Sequence, residues 1–208
     1  MNLWKKIAVS MLAMGVVAGI VVASSKMPSG PTLNELAPDF EAVDSNGVKH
    51  KLSSFRGKVV VLEWKNHECP FVVKHYSEGN MQSLQKYARD NGAVWLSIVS
   101  SAPGKQGYLS DADANALVKK EKSNADAVLQ DVTGKVGRLY AAKVTPHMFI
   151  IDKEGKLVYD GAIDDKRSAN PKDIANSRPY VKENLALLFA GRPVVEQKTT
   201  PYGCGVKY

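Results

Sequence analysis

Val59-Val60-Val61-Leu62-Glu63-Trp64 is followed, after Lys65-Asn66-His67-Glu68, by Cys69-Pro70-Phe71-Val72-Val73-Lys74-His75-Tyr76. The first six residues are apolar apart from Glu63 and rich in β-branched side chains. They read as a strand buried on both faces. Proline is favoured at the first helical position, because it has no N–H to leave unpaired. Pro70 therefore predicts a helix that begins just after Cys69. A cysteine at a helix N-terminus meets unpaired N–H groups and the positive end of the dipole, both of which favour the thiolate. The segment thus reads as strand, turn, nucleophile, helix.

Further along stands Thr145-Pro146-His147-Met148-Phe149-Ile150-Ile151-Asp152. Proline is tolerated at the start of a strand and not in its middle, so Pro146 opens one. Lys153-Glu154-Gly155-Lys156 makes a tight turn, and Leu157-Val158-Tyr159-Asp160 returns as a second strand.

Strand–Cys-Pro–helix followed by Thr-Pro–strand–hairpin resembles the thioredoxin superfamily. The phrase Ala37-Pro38-Asp39-Phe40, about thirty residues before Cys69, resembles the redoxins within it. The resemblance implies an α/β fold: a central mixed β-sheet with helices on both faces, preceded by an N-terminal β-hairpin. It implies that Pro146 is a cis-proline packed against Cys69. It also implies that Glu63 matches the buried acid that relays protons in thioredoxins, and that Thr145, Pro70 and Asn66 border the substrate.

The resemblance divides between two branches. Thioredoxins pair the first cysteine with a second three residues on, but that position holds Val72. Peroxiredoxins place Thr or Ser three residues before the cysteine and an Arg near the later strand. Here Asn66 stands at the first place, and the later strand opens Thr-Pro with no Arg. Asn66 donates hydrogen bonds but carries no charge. The description that fits is a peroxiredoxin-like redoxin of the alkyl hydroperoxide reductase/thiol-specific antioxidant type, with a single cysteine at the thioredoxin site. Disulfide exchange is then expected to outpace peroxide reduction.

Cys204 is the second of two cysteines, flanked by Gly203 and Gly205 in the C-terminal tail. It has three readings. As a resolving thiol it attacks a mixed disulfide or sulfenic acid on Cys69. As a structural partner it closes a long loop, worth about 4–5 kcal/mol by chain entropy. Otherwise it is free or intermolecular. The first is the expectation here. Cys69 with His67 and His75 suggests soft-metal delivery as a rival function, since Cu(I) and Zn accept such ligands. The exported copper carriers of this fold use two close cysteines, so no metal or other cofactor is assigned. Protonated His67 and Lys74 are expected to lower the Cys69 pKa and Glu68 to raise it. His147 follows Pro146 directly, and His50 is expected at the surface.

Lys5-Lys6 precede an uncharged run at residues 7–23, and Ser24-Ser25-Lys26 follow. A basic start, an apolar stretch and small residues make residues 1–25 a signal peptide or a retained anchor. Either outcome exports the chain to a compartment where disulfides persist. Residues 26–36 read as a linker, 37–192 as the redoxin domain and 193–208 as the tail. The net charge of +7 is spread along the chain without an aromatic-interleaved basic cluster, which argues against nucleic-acid binding. Expected partners are protein or small-molecule thiols and disulfides, with peroxides a lesser candidate, and an external electron donor. Membrane contact is expected only through residues 7–23.

Among the connecting elements, residues 81–88, 111–122, 134–142 and 180–190 carry helical spacing or helix boundary signals. Residues 93–99 and 127–129 read as strands. Residues 167–178 and the tail read as irregular.

Overall fold

The computed structural model describes residues 30–208. The expected leader at 1–25 and the first residues of the linker lie outside them.

A short hairpin comes first, β1 (Glu41–Val43) and β2 (Lys49–Lys51), paired antiparallel with Glu41 opposite Lys51. Asp44 builds its turn. One of its carboxylate oxygens accepts from the N–H groups of Asn46 at 2.8 Å and Val48 at 2.9 Å. His50 is half-buried rather than exposed, because its ring bonds the other oxygen of Asp44 at 2.8 Å.

The central sheet uses β3 (Val60–Trp64), β4 (Val94–Val99), β5 (Ala127–Gln130), β7 (His147–Ile151) and β8 (Leu157–Gly161). Their order is β5-β4-β3-β7-β8. The β3–β4 and β4–β5 pairs are parallel, whereas β3–β7 and β7–β8 are antiparallel, so the sheet is mixed. Every residue of β3 is buried, as its apolar run requires at the centre of a sheet covered on both faces.

The alternation along β3 sorts the core. Val60, Leu62 and Trp64 face a cluster with Phe40, Leu52, Val136, Tyr140 and Phe149, under the hairpin and helix α4 (Lys135–Leu139). Val61 faces the opposite cluster, built with helices α1 (Pro70–Ser77), α2 (Asn80–Asp90) and α5 (Tyr180–Phe189). Helix α3 (Asp111–Glu121) packs Ala114 on Val99 and Val128 near the β5 edge. The thioredoxin-like fold with its N-terminal hairpin is therefore as expected.

Three details differ from the sequence reading. Helix α4 is shorter than the 134–142 span, because the chain turns at Ala141 with φ of +49°. The polar stretch at 167–178 contains a 3-10 helix, Pro171–Asn176, capped by Asn170 accepting from the Lys172 N–H. The tail, which carries no strand pattern, forms β9 (Cys204–Gly205) and pairs antiparallel with β6 (Val144–Thr145). Its hydrogen-bonding partners come from a distant segment, and so they leave no local periodicity.

Candidate active site

Cys69 is the N-cap of α1, with extended backbone at φ −75° and ψ 121°. Its side chain makes no capping bond, so the sulfur is left for other partners. The turn before it is set by Asn66. Its backbone carbonyl accepts from the Cys69 N–H at 3.0 Å, and its side-chain Oδ1 accepts from the Glu68 N–H at 2.9 Å. Asn66 is buried and lies against Gly107, while Pro70 is exposed on the first turn of the helix.

The Thr145–Pro146 peptide is cis, and both residues are buried. The Cys69 thiol donates to the Thr145 carbonyl at 3.0 Å. On the other side of that carbonyl runs the tail. Thr145 sits opposite Cys204 in the β6–β9 pair, and the Cys204 N–H donates to Cys69 Sγ at 3.4 Å. Cys69, Thr145, Pro146 and Cys204 thus form one cluster. Both cysteines are free thiols, and Cys69 is 0% exposed beneath the tail.

Gly203 makes this approach possible. Its φ is +141°, and a Cβ there would stand 1.9 Å from the Thr145 carbonyl oxygen. Only glycine meets both conditions.

The two thiols are driven apart electrostatically. Burial pushes the Cys69 pKa up, but hydrogen bonds outweigh it and hold the pKa below the usual thiol value. Foremost among them is the neighbouring Cys204, whose thiol lies beside the sulfur and whose N–H donates to Sγ at 3.4 Å. The Thr145 carbonyl accepts from the Cys69 thiol, while the Thr145 hydroxyl donates to the Cys204 carbonyl at 3.4 Å. Cys204 moves the other way, to about 11, through burial, its hydrogen bond to Cys69 and the Cys69 charge, with Lys207 opposing. Of the two thiols, Cys69 is thus the one more readily ionised, and Cys204 the one that keeps its proton.

Lys74, expected to tune Cys69, points elsewhere, and the two buried histidines His75 and His147 have other partners. Lys74 is buried and donates to the Lys166 carbonyl at 3.1 Å, with Asp164 Oδ2 at 3.6 Å. His75 Nδ1 faces the Asn80 amide at 2.8 Å, and burial takes the ring pKa down to about 4, so it is neutral. His147 is bonded to Asp160 at 2.8 Å and accepts from the Lys143 N–H at 3.3 Å, which engages both ring nitrogens.

Glu63 is 0% exposed. Its carboxylate accepts from Tyr76, Gln85, Trp95 and Ser97 at 2.8–3.4 Å, a near-complete shell for a buried charge. None of these partners is Cys69; the acid is tied to β4, α1 and α2.

Tyr202 and Asp164 also belong to the site. The Tyr202 hydroxyl donates to Asp164 Oδ1, and its ring meets Phe71 edge-on at 5.9 Å between centroids. The only sequence hint for Tyr202 is its position two residues before Cys204. Asp164 had none, because it reaches the site from the end of β8.

Similarity to known proteins agrees with this geometry. The family described as AhpC/TSA matches residues 33–160, which include Cys69, Thr145 and Pro146 but not Cys204. An uncharacterized conserved protein from Geobacillus kaustophilus superposes with a TM-score of 0.72 at 25% identity, covering 85% of this chain and 92% of that one. A hypothetical protein from Sinorhizobium meliloti 1021 gives a TM-score of 0.69 at 25% identity, covering 85% and 94%. The search of curated proteins finds no match. With a cysteine at the helix α1 N-terminus facing a Thr-cis-Pro strand, and with most of the chain inside the family match, the chain belongs to the AhpC/TSA family.

Proposed function

We propose that the chain is an exported dithiol oxidoreductase in which Cys69 attacks and Cys204 resolves. The observation that supports this reading most is the 3.4 Å approach of the Cys204 N–H to Cys69 Sγ across the β6–β9 pair. The Cys69 thiolate attacks one sulfur of a substrate disulfide. A Cys69–substrate bond forms, the substrate S–S bond breaks, and the other sulfur leaves as a thiolate. Once Cys69 is bonded, it carries no charge and accepts no hydrogen bond from Cys204. Two of the causes that hold the Cys204 pKa near 11 are then gone. Cys204 ionises, its proton passes to the departing substrate thiolate, and it attacks Cys69 Sγ. The Cys69–Cys204 bond forms and the second substrate thiolate leaves. The second thiolate takes up from solvent the proton that Cys69 released on ionising, so the substrate gains two electrons and two protons and the protein dithiol loses them. An external thiol donor restores the dithiol; the reverse sequence hands a disulfide to a substrate.

Disulfides suit this site better than peroxides. The groups that favour the Cys69 thiolate are led by the Cys204 thiol and N–H, and none of them is a cation. Asn66 Oδ1 accepts from the Glu68 N–H, and its Nδ2, a neutral donor without a partner among the described residues, brings no charge to the site. In this reading Pro146 and Thr145 form the substrate-facing wall, and Pro70 and Asn66 frame the turn. The leader pattern of residues 1–25 supports export, and partners are protein or small-molecule thiols and disulfides.

Peptide mapping of the oxidised, non-reduced protein tests the reading. A Cys69–Cys204 disulfide is expected, and Cys204→Ser is expected to accumulate mixed disulfides on Cys69. A free Cys204 in protein whose Cys69 is oxidised would overturn it.

A further inference from the structure

We infer that Tyr202, through Asp164 and Lys74, is a positioning residue that latches the C-terminal strap over Cys69 and sets the reach of Cys204. The inference rests on the dithiol reading above and names the element that controls it.

Residues 198–208 cross the site as one strap. Lys198 pairs with Asp160, and Thr199 Oγ1 lies 2.6 Å from the Tyr159 hydroxyl and 2.8 Å from the Ala162 N–H. After β9, the Val206 N–H donates to the Lys143 carbonyl at 3.1 Å, and the Ala102 N–H donates to the Lys207 carbonyl at 2.9 Å. The terminal Tyr208 hydroxyl donates to the Ala142 carbonyl at 2.8 Å. With this strap in place Cys69 is wholly buried, so no disulfide reaches it until the strap lifts.

Within the strap, Cys204 stands between two glycines that contribute no side chain. The side-chain anchor next to it is Tyr202, buried and aimed at Asp164. Asp164 is itself buried, and Oδ1 also accepts from the Lys166 N–H at 3.0 Å. Its Oδ2 has no hydrogen-bond donor among the described residues; the nearest cation is Lys74 Nζ at 3.6 Å. His75 Nε2 faces it from 3.9 Å. A buried carboxylate whose shell is incomplete depends strongly on each donor it has. Losing the Tyr202 hydroxyl therefore favours the lifted strap, in which water reaches Asp164.

The latch also joins the two thiols mechanically. Phe71 and Lys74 lie on α1, the helix that Cys69 caps, and Tyr202 touches Phe71 with its ring. Lys74 Nζ stands 5.7 Å from that ring's centroid. Only Gly203 separates the anchored Tyr202 from Cys204, so a closed latch leaves the resolving thiol little freedom. The matching region of the family ends at residue 160, which makes the strap and Asp164 features of this chain beyond that match.

The test uses the fully reduced protein with iodoacetamide and residue-resolved mass spectrometry. In Tyr202→Phe, Cys69 is expected to react roughly tenfold faster, the loss of one charge-assisted hydrogen bond read through local opening. Redox titration is expected to show the Cys69–Cys204 disulfide disfavoured by a similar factor. Gly203→Ala disrupts the strap from the other side and should also speed Cys69. Val128→Ala, a core change at the β5 edge, should leave Cys69 labelling unchanged and so separates latch release from general loosening. If Tyr202→Phe keeps Cys69 within twofold of the parent while Gly203→Ala speeds it, Tyr202 is not the latch and the inference fails. If neither variant alters Cys69 labelling, the strap does not gate it, and the inference fails as well. Because labelling is done on the dithiol, it does not require the disulfide. Fast labelling in Tyr202→Phe, with no Cys69–Cys204 disulfide in the oxidised parent protein, would sink the resolving role and leave the latch standing.

Discussion

Cys69 and Cys204, 135 residues apart in the chain, meet through the backbone of one and the sulfur of the other. The Cys204 N–H aims at Cys69 Sγ because Cys204 is paired with Thr145, whose carbonyl accepts from the Cys69 thiol. One peptide segment thereby holds both thiols, and the ionisation of each depends on the other.

That dependence predicts reciprocal shifts. The pH profile of alkylation should place Cys69 below the ordinary free thiol and Cys204 above it. In Cys69→Ser the Cys204 midpoint should fall from about 11, because the neighbouring thiolate is removed. In Cys204→Ala the thiol donor is lost, and the Cys69 midpoint should rise. Unchanged midpoints in both variants would mean that the sulfurs do not interact.

Gly203→Ala should cost stability as well as function. A side chain at φ of +141° is strained, and its Cβ would press on the Thr145 carbonyl at 1.9 Å. The expected loss is about 1–3 kcal/mol in urea denaturation of the reduced protein. Disulfide formation between Cys69 and Cys204 should slow by at least about tenfold, as the strap is displaced.

Glu63→Gln is expected to act on stability first. Glu63 accepts from four side chains, and glutamine places an NH₂ group where only acceptors are wanted. A loss of about 1–3 kcal/mol follows from the unsatisfied donors. The lifetime of a mixed disulfide on Cys69 should stay close to that of the parent. A markedly longer lifetime would instead assign Glu63 a part in the proton transfer.

Stability should also carry a signature of His75. Its pKa falls from 6.5 in the unfolded chain to about 4 in the fold, because burial disfavours the charged ring. Between those values the unfolded chain binds a proton that the native state does not. Stability from this group is therefore complete above pH 6.5 and is lost as pH falls towards 4. The slope is at most about 1.4 kcal/mol per pH unit. Chemical denaturation across that window should show a shallower slope for His75→Asn than for the parent.

Much of the fold was legible in the sequence. Val59-Val60-Val61-Leu62-Glu63-Trp64 announced a strand covered on both faces, and Pro70 announced the helix that Cys69 caps. Thr145-Pro146 and the hairpin after it located the strand that faces Cys69. These features are local: periodicity, β-branching and the missing N–H of proline act within a few residues, so they can be read without the rest of the chain. The partners of Lys74 were not legible. Its position five residues after Cys69 suggested a cation for the thiol, yet the side chain turns to Asp164 and the Lys166 carbonyl. The tail escaped for the same reason. Cys204–Gly205 has no strand pattern of its own and becomes a strand only because Val144–Thr145 offers an open edge. The sequence by itself determined which cysteine stands at a helix N-terminus and which elements carry it. Only the tertiary structure decided what tunes that cysteine, what covers it and which thiol stands beside it, because those depend on hydrogen bonds between segments that meet solely in the folded chain.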